Sequence, residues 1–371
     1  MERVTGHAVR AMYLYTAMAD VVHASGEQEY VDALHRVWHN VVHKNMYVTG
    51  GIGPSHDNEG FTHDYDLPNE TAYCETCASI GMVMWNQRMN LLFRDAKYAD
   101  VMERAMYNGA LAGLSFEGDK FFYVNPLASR GDHHRVAWFD VSCCPTNLAR
   151  FLPSIGNYMF AAAEGGFAVN LYASCEADIP LSGGNRVRAD MQTDYPWDAS
   201  IDIALHPERQ ERFPVILRIP GWCRSYEVLV NGERQSAKQA PYAQGYIVLD
   251  REWKQGDRIA LTLDMEARWV RSRPEVAANV GRLALQRGPL VYCMEQADHP
   301  GIEYDEAAFA PDAAFVVEHR ADWFHGISVL SGPDSRGRHC TFVPYYAWDN
   351  REPGYMQVWV KEHESEQLYL G

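Results

Sequence analysis

The chain has 371 residues, of which 47% are apolar, and it carries a formal net charge of −16 and eight cysteines. This length and composition predict a globular protein of two or three domains and exclude a disordered one. The acidic balance excludes nucleic acid as a partner, because phosphate binding needs clustered Lys and Arg. No apolar run is long enough to span a bilayer, so we expect no membrane partner. The start lacks the apolar region of a signal peptide, and a cytoplasmic location is the default expectation.

The first half of the chain is predicted to be helical, because its apolar residues recur at helical spacing. The links between these helices are long and rich in Gly, Asp and His, and such links usually carry function. The predicted helices cover Gly6–Ala24, Gln28–Lys44, a segment from about Asn69 to Trp85, Ala96–Leu114 and Pro145–Ala162.

From Glu164 onwards the pattern changes to short alternating runs separated by turn residues, which is typical of a β-sandwich. We therefore expect three domains: a helical one over 1–164, a β-sandwich over 165–270 and a second β-rich domain over 271–371. The predicted strands are Phe167–Tyr172, Ser200–Leu205, Val215–Ile219, Tyr226–Val230, Tyr246–Leu249, Arg258–Leu263, Leu290–Tyr292, Thr341–Val343 and Met356–Val360.

Four of the eight cysteines lie close to acidic residues within the helical half. Soft thiolates together with one carboxylate suit Zn²⁺ in tetrahedral geometry. Cys143 and Cys144 precede a proline at a predicted helix start, and a helix N-terminus also lowers a thiol pKa. Two alternatives stay open. Some of these cysteines could be small core residues, and Cys74 with Cys77 could be half a zinc knuckle or a redox pair.

Three further side chains are candidates for chemistry at this site. Glu59 lies in a Gly-flanked loop and could act as a general acid/base, or it could be a solvated loop acid. Tyr123 could donate its hydroxyl to a polar ligand, or it could be a core aromatic. His7 could hydrogen-bond a sugar or a carboxylate, although spacing alone favours a structural histidine.

Six motifs together resemble those of the β-L-arabinofuranosidase family, glycoside hydrolase family 127, and its relatives. The resemblance spans nearly the whole chain, and the combination is specific where each motif alone is not. The motifs are Tyr47–Gly53, Glu70–Ala78, Cys143–Asn147, Arg218–Trp222, Arg287–Tyr292 and Val343–Trp348.

The resemblance implies an (α/α)6 barrel followed by β-sandwich domains, and hydrolysis of β-L-arabinofuranosides with retention. By motif, Cys143 matches a zinc-bound nucleophile and Glu59 the acid/base. The other zinc ligands match Glu75, Cys77 and Cys144. The residues His7 and Tyr123 match sugar-contacting positions. A small carbohydrate or glycoside is then the expected substrate.

Five helices are few for a helical domain with this much apolar surface, so we expect only the later half of the barrel in this chain. An alternative therefore stays open, in which the chain is an inactive zinc-stapled fragment or a carbohydrate-binding remnant. A thiol-disulfide enzyme is disfavoured, because neither cysteine pair follows a strand in a βαβ pattern. The sequence does not determine the oligomeric state, and a homodimer is possible.

Overall fold

The structure is a computed structural model that describes residues 2–235, 238–240 and 243–363. Met1 and the last eight positions of the predicted 271–371 domain lie outside the described residues. The α-helices are α1 Ala8–Ser25, α2 Gln28–Lys44, α3 Thr76–Phe93, α4 Ala96–Arg104 and α5 Cys143–Phe151. The π-helical segment Ala105–Ala110 and the 3₁₀ segment Leu111–Gly113 continue α4, and Leu152–Tyr158 continues α5 as a 3₁₀ helix.

The strands are short before residue 160 and dominate the chain after it. They are β1 Gly6–His7, β2 Gly60–Phe61, β3 Ala128–Ser129, β4 Phe160–Ala163, β5 Gly166–Val169, β6 Cys175–Pro180, β7 Arg186–Thr193, β8 Ser200–Pro207, β9 Glu211–Arg218, β10 Tyr226–Val230, β11 Glu233–Arg234, β12 Lys238–Ala240, β13 Ala243–Trp253, β14 Asp257–Leu263, β15 Ala267–Val270, β16 Arg282–Arg287, β17 Leu290–Glu295, β18 Ala308–Phe309, β19 Val316–Arg320, β20 Ile327–Pro333, β21 His339–Pro344, β22 Met356–Gln357 and β23 Trp359–Glu362. The predicted order of helices followed by strands is confirmed.

Two predicted helix boundaries are wrong. The third helix begins at Thr76 rather than near Asn69, because Cys74 has a left-handed backbone with φ 40° and cannot lie inside a helix. The fifth does not continue to Ala162. Its 3₁₀ extension, which has a proline in the first turn, ends at Tyr158, and the next residues form a hairpin in which β4 pairs with β5.

The chain divides into two compact units. One contains Met1–Trp85, Arg104–Arg150 and Ala267–Gly371, and the other contains Asn86–Glu103 and Phe151–Glu266. In the first unit, a ten-stranded sheet has the order β18-β23-β16-β17-β21-β20-β19, with β15 paired to β16, and β22 paired to β17 and β3. The same unit contains α1, α2 and the start of α3.

Helix α1 approaches α3 closely at Met12 and Gly81. A Cβ atom on Gly81 would lie 2.7 Å from Cβ of Met12, so only glycine lets the two helices approach this closely. The rings of Tyr15 and Trp85 lie 5.1 Å apart nearby, and both side chains are buried. This packing fixes the start of α3, where one thiol of the candidate site lies.

The second unit contains a six-stranded sheet of order β11-β10-β14-β8-β7-β6 and a five-stranded sheet of order β12-β13-β9-β5-β4. Buried and exposed residues alternate along β7 and β14, as expected for sheets with one face in a core. Arg218 is fully buried here and donates to Asp100 Oδ1 and Glu103 Oε1, each at 2.6 Å. Glu103 also accepts from the Tyr195 hydroxyl at 2.7 Å, so the buried charges are paired.

Candidate metal centre and active site

Three thiols and one carboxyl group meet where α3 and α5 begin. Cys77 lies in the first turn of α3, Glu75 directly precedes that helix, and Cys143 and Cys144 begin α5. Cys143 Sγ is 3.7 Å from both of the other sulfurs and 3.4 Å from Glu75 Oε1. One ligand atom from each of the four side chains lies within 4.8 Å of the others. The structure thus brings together all four residues that the sequence proposed as metal ligands.

An unusual backbone turn places the carboxyl group of Glu75 in this cluster. The N–H groups of Tyr73 and Cys74 donate to the carbonyls of Pro54 and Gly53, at 3.3 and 2.9 Å. These bonds tie the segment before Glu75 to the Gly53–Pro54 loop, and Cys74 has a left-handed φ of 40°. A non-glycine residue in this conformation is strained and persists only where its surroundings hold it, as at many functional sites.

The spacing of the donors fits a bound metal ion. In a tetrahedral site with metal–sulfur bonds of about 2.3 Å, two sulfurs lie about 3.8 Å apart, and the spacing from Cys143 Sγ to each neighbouring sulfur is 3.7 Å. The second carboxyl oxygen of Glu75, Oε2, is buried and has no hydrogen-bond partner among the described residues. A buried carboxyl oxygen without a donor is unfavourable, and a cation would satisfy it. Glu75, Cys77, Cys143 and Cys144 could therefore hold a metal ion.

The charges of the cluster lead to the same conclusion. Burial raises the pKa of Glu75 to about 8, and the neighbouring Cys143 thiolate adds to the shift. Hydrogen bonds from Cys144 and Cys77 lower the pKa of Cys143, while burial raises the pKa of Cys144. Negative charge is thus concentrated on Cys143 and is unfavourable on its neighbours. A divalent cation would relieve this repulsion and favour the ionised form of every donor.

Glu59 lies beside this cluster and is held by the start of α1. Its Oε2 atom is 3.1 Å from Nε2 of His7, and its carbonyl accepts from Ala8 N–H at 3.0 Å. Ligand atoms of His7, Glu59 and Glu75 lie within 4.8 Å of one another, so Glu75 belongs to both groups. The Glu59 side chain is 43% exposed, which leaves it accessible to a substrate. The structure thus brings His7 and Glu59, which the sequence proposed separately, together next to the predicted metal ligands.

Tyr123 joins the cluster from the other side. Its hydroxyl group lies 3.0 Å from Cys143 Sγ, and its ring packs edge-on against Phe139 at 5.5 Å. Burial raises the pKa of Tyr123, so it keeps its proton and can donate to a Cys143 thiolate. Cys143 itself is half-buried. Its sulfur is therefore accessible to a substrate while it lies within hydrogen-bond distance of the Tyr123 hydroxyl.

Two buried asparagines that support the cluster, Asn125 beside Glu75 and Asn147 through a hydrogen bond with the Cys77 thiol, were not identified as site residues from the sequence. Asn125 donates through Nδ2 to the carbonyl of Cys74 at 2.8 Å and to Thr76 Oγ1 at 3.0 Å. Asn147 lies at 3.5 Å from the hydroxyl of Tyr13 and is also buried. Asn147 ends the Cys-Cys-Pro-Thr-Asn motif, which was a usable signal. Asn125 carries no signal in sequence, because its contacts are 49–51 residues away.

The cysteines of the described residues are all free thiols. All eight cysteines lie in the described part of the chain, and none of them forms a disulfide. Adjacent Cys143 and Cys144 keep their sulfurs 3.7 Å apart, far beyond an S–S bond of about 2.05 Å. Among the residues described, no helix combines the length and the apolar character needed to cross a membrane.

Comparison with known proteins assigns the chain to a family. Three family models match it in succession: the β-L-arabinofuranosidase family 127 catalytic domain over residues 1–157, the middle domain over 166–265, and the glycoside hydrolase family 127 C-terminal domain over 267–361. The chain is 37% identical over 393 residues to the non-reducing end β-L-arabinofuranosidase of Bifidobacterium longum subsp. longum, an alignment that covers 95% of this chain and 59% of the relative.

Solved structures agree with this match. The family 127 β-L-arabinofuranosidase of Geobacillus stearothermophilus T6 has a TM-score of 0.92 and 40% identity, over 98% of this chain and 61% of that one. A second family 127 β-arabinofuranosidase has a TM-score of 0.91 and 38% identity, again over 98% of this chain and 61% of that one. The chain therefore belongs to the β-L-arabinofuranosidase family, glycoside hydrolase family 127, and it spans about three fifths of the length of these relatives.

Proposed function

We propose that this chain is a retaining glycoside hydrolase that acts on β-L-arabinofuranosides, with Cys143 as nucleophile, Glu59 as acid/base and zinc as the metal. The observation that carries the proposal is the position of Cys143 Sγ. It is half-buried at a helix start, within 3.7 Å of two further thiols and 3.0 Å from the Tyr123 hydroxyl. The names of the relatives support the choice of substrate. Three sulfurs and one carboxylate oxygen favour zinc among the common divalent ions.

With these residues, hydrolysis can proceed in two displacement steps at the anomeric carbon. Bound zinc would hold Cys143 as a thiolate at neutral pH, so no separate base is needed to activate it. Cys143 Sγ attacks the anomeric carbon while Glu59 gives its proton to the leaving oxygen, so that the C–S bond forms as the C–O bond breaks. Glu59 then takes a proton from water, which attacks the same carbon and releases the thiolate. Two inversions at one carbon give overall retention.

Tyr123 and His7 support this sequence of steps. When Cys143 is a thiolate, the Tyr123 hydroxyl, which lies 3.0 Å from its sulfur, can donate to it and stabilise it both before attack and when it leaves. We propose that both side chains also contact the sugar, because both border the space between Glu59 and the thiols.

We further propose the finer architecture that the sequence suggested. The helices belong to an (α/α)6 barrel, and the β-rich segments form sandwiches, with domains over 1–164, 165–270 and 271–371. The succession of catalytic, middle and C-terminal family models supports this division.

Hydrolysis of p-nitrophenyl β-L-arabinofuranoside tests the proposal directly. The wild-type protein should release nitrophenol, and Cys143→Ser and Glu59→Gln should each lose at least about 100-fold in kcat. Glu59→Gln loses this rate because the base that activates water in the second displacement is missing. The first product anomer, followed by NMR, should have the configuration of the substrate. Bound zinc should be present at one ion per chain by elemental analysis.

The outcomes separate enzymatic from non-enzymatic roles. If zinc is bound and the wild-type protein is as inert as its variants, the site only stabilises the helical part and the chain is not an enzyme by itself. If no metal binds, both the catalytic and the structural zinc proposals are wrong. If the first product is the opposite anomer, the cysteine is not a nucleophile.

A further inference from the structure

We propose that His7 is a positioning residue for the acid/base: its Nδ1 atom caps helix α1 while its Nε2–H group orients the carboxyl group of Glu59. The inference rests on the proposed function of Glu59. It goes further by assigning one tautomer to His7 and different roles to the two oxygens of Glu59.

The cap selects the tautomer of His7. His7 is the N-cap of α1, with extended backbone angles of φ −68° and ψ 126°, and its Nδ1 atom accepts from Val9 N–H at 3.2 Å. This is the contact by which an N-cap side chain satisfies one of the unpaired N–H groups of a first turn. A proton on Nδ1 would meet the Val9 N–H group donor against donor. The neutral ring therefore carries its proton on Nε2.

That proton faces the acid/base. His7 Nε2 lies 3.1 Å from Glu59 Oε2, within hydrogen-bond distance, and the His7 side chain is only 20% exposed. Since Nε2 donates, Oε2 of Glu59 must accept. The proton that Glu59 transfers to the leaving oxygen is then carried by its other atom, Oε1. His7 thus makes the two carboxyl oxygens unequal before any substrate arrives.

Backbone contacts also hold His7 and Glu59 in place relative to each other. Glu59 has a left-handed φ of 50°, and its carbonyl is tied to Ala8 N–H at 3.0 Å. Strands β1 and β2 pair His7 with Gly60 and Gly6 with Phe61. A Cβ atom on Gly60 would lie only 2.0 Å from the Gly6 carbonyl, so glycine is required there. The start of α1 and the loop that carries Glu59 are therefore joined by backbone pairing on both sides of the two side chains.

Two substitutions separate the two functions of the ring. In His7→Asn, the Asn Oδ1 atom lies where Nδ1 was and is a good N-cap, but no donor reaches Glu59. In His7→Gln, the amide N–H lies where Nε2–H was, but the cap is lost. His7→Gln should therefore melt roughly 2 °C lower than wild type, and His7→Asn should melt close to it. His23→Asn is the control, because His23 is an exposed histidine in the last turn of the same helix.

The kinetic readout is the dependence on the leaving group. Nitrophenol leaves with little help from an acid, whereas methanol needs a proton, so we compare kcat/KM for the two β-L-arabinofuranosides. His7→Asn should raise the nitrophenyl-to-methyl ratio by at least about tenfold over wild type. In His7→Gln, whose amide N–H replaces the Nε2–H donor, the nitrophenyl-to-methyl ratio should return close to the wild-type value. The control should leave both the ratio and the rates unchanged. An equal loss on both substrates in His7→Asn would show that His7 only binds sugar, and the proposal would be overturned.

The ¹⁵N chemical shifts of the imidazole rings test the same inference without turnover. The His7 signals, assigned by their absence in His7→Asn, should show an unprotonated Nδ1 and a protonated Nε2 whose shift changes in Glu59→Gln. A protonated Nδ1, or an Nε2 signal that does not respond to Glu59→Gln, would overturn the proposal. If the wild-type protein hydrolyses neither substrate, the proposed function fails while these spectra still decide the positioning.

Discussion

Asn125 is a buried side chain whose removal should weaken metal binding without removing a ligand. Its Nδ2 group donates to the carbonyl of Cys74 at 2.8 Å and to Thr76 Oγ1 at 3.0 Å. These two residues flank Glu75, which has to stay in place although Cys74 holds a strained left-handed φ of 40°. We therefore expect Asn125→Ala to loosen the turn that presents Glu75 to the metal.

The size of the effect follows from the contacts that are lost. Asn125→Ala leaves two buried acceptors without their donor, at about 1–3 kcal/mol each in free energy of unfolding. Because these bonds also hold the backbone on both sides of Glu75, their loss should let the Glu75 carboxyl group move away from its ligand position. Side chains that orient a metal ligand typically contribute about 10–100-fold to metal affinity, or about 1.4–2.8 kcal/mol. We predict a decrease of that size in zinc affinity.

The assay is a zinc titration against a competing chromophoric chelator, paired with a thermal melt. Asn185→Ala is the matched control: Asn185 is also fully buried and donates to the Arg209 carbonyl and to Glu211 Oε2, both at 2.8 Å. Both variants should melt at lower temperature, but only Asn125→Ala should lose zinc affinity. Equal zinc affinity in wild type and both variants would refute the reasoning, because the turn would then not depend on Asn125.

Three further predictions concern the second unit, the loop of Glu59 and the pH dependence of metal binding. Arg218→Met should lower the stability of the second unit by about 3–5 kcal/mol, because the buried carboxylate of Glu103 loses its partner, whereas the partly exposed Asp100 keeps access to water. Zinc content should not change, and a melt and elemental analysis check both results. Gly60→Ala should reduce kcat/KM by at least about tenfold at unchanged zinc content, since its Cβ would meet the Gly6 carbonyl at 2.0 Å and separate β1 from β2. Zinc affinity should rise with pH from neutral to beyond pH 8, because binding must displace a proton from Glu75, whose pKa is raised to about 8, and from the Cys77 and Cys144 thiols, whose pKa values are also raised. An affinity that does not depend on pH would count against this account.

The order of the helices and strands could be predicted from the sequence more accurately than the residues at which they begin and end. The helices α1 and α2 and the strand β10 lie within about two residues of their predicted bounds, because periodicity is a local signal. The start of α3 was misplaced, since the pairing of Tyr73 and Cys74 with Pro54 and Gly53 is set by contacts 19–21 residues apart in the chain. No local pattern reports such a contact.

The same distinction applies to the site. The four proposed ligands could be named from residue type and motif, because thiols and acids are rare in this combination. Their supports could not: the Glu59 side chain depends on His7, 52 residues earlier, and Asn125 acts on the turn at Cys74. Neither His7 nor Glu59 was favoured as functional by spacing alone. The pairing of β1 with β2 and the hydrogen bond from Ala8 N–H to the Glu59 carbonyl bring the two together.

The central claim is that Cys143 forms a covalent bond to the sugar, and trapping that bond tests it most directly. The wild-type protein, mixed rapidly with p-nitrophenyl β-L-arabinofuranoside and quenched in acid, should gain the mass of one pentosyl unit in intact-protein mass spectrometry. Peptide mapping should place the added mass on Cys143, and Cys143→Ser should show none. A pentosyl unit on Glu75 or Glu59 instead, or turnover with no adduct at any quench time while Cys143→Ser remains active, would contradict the account.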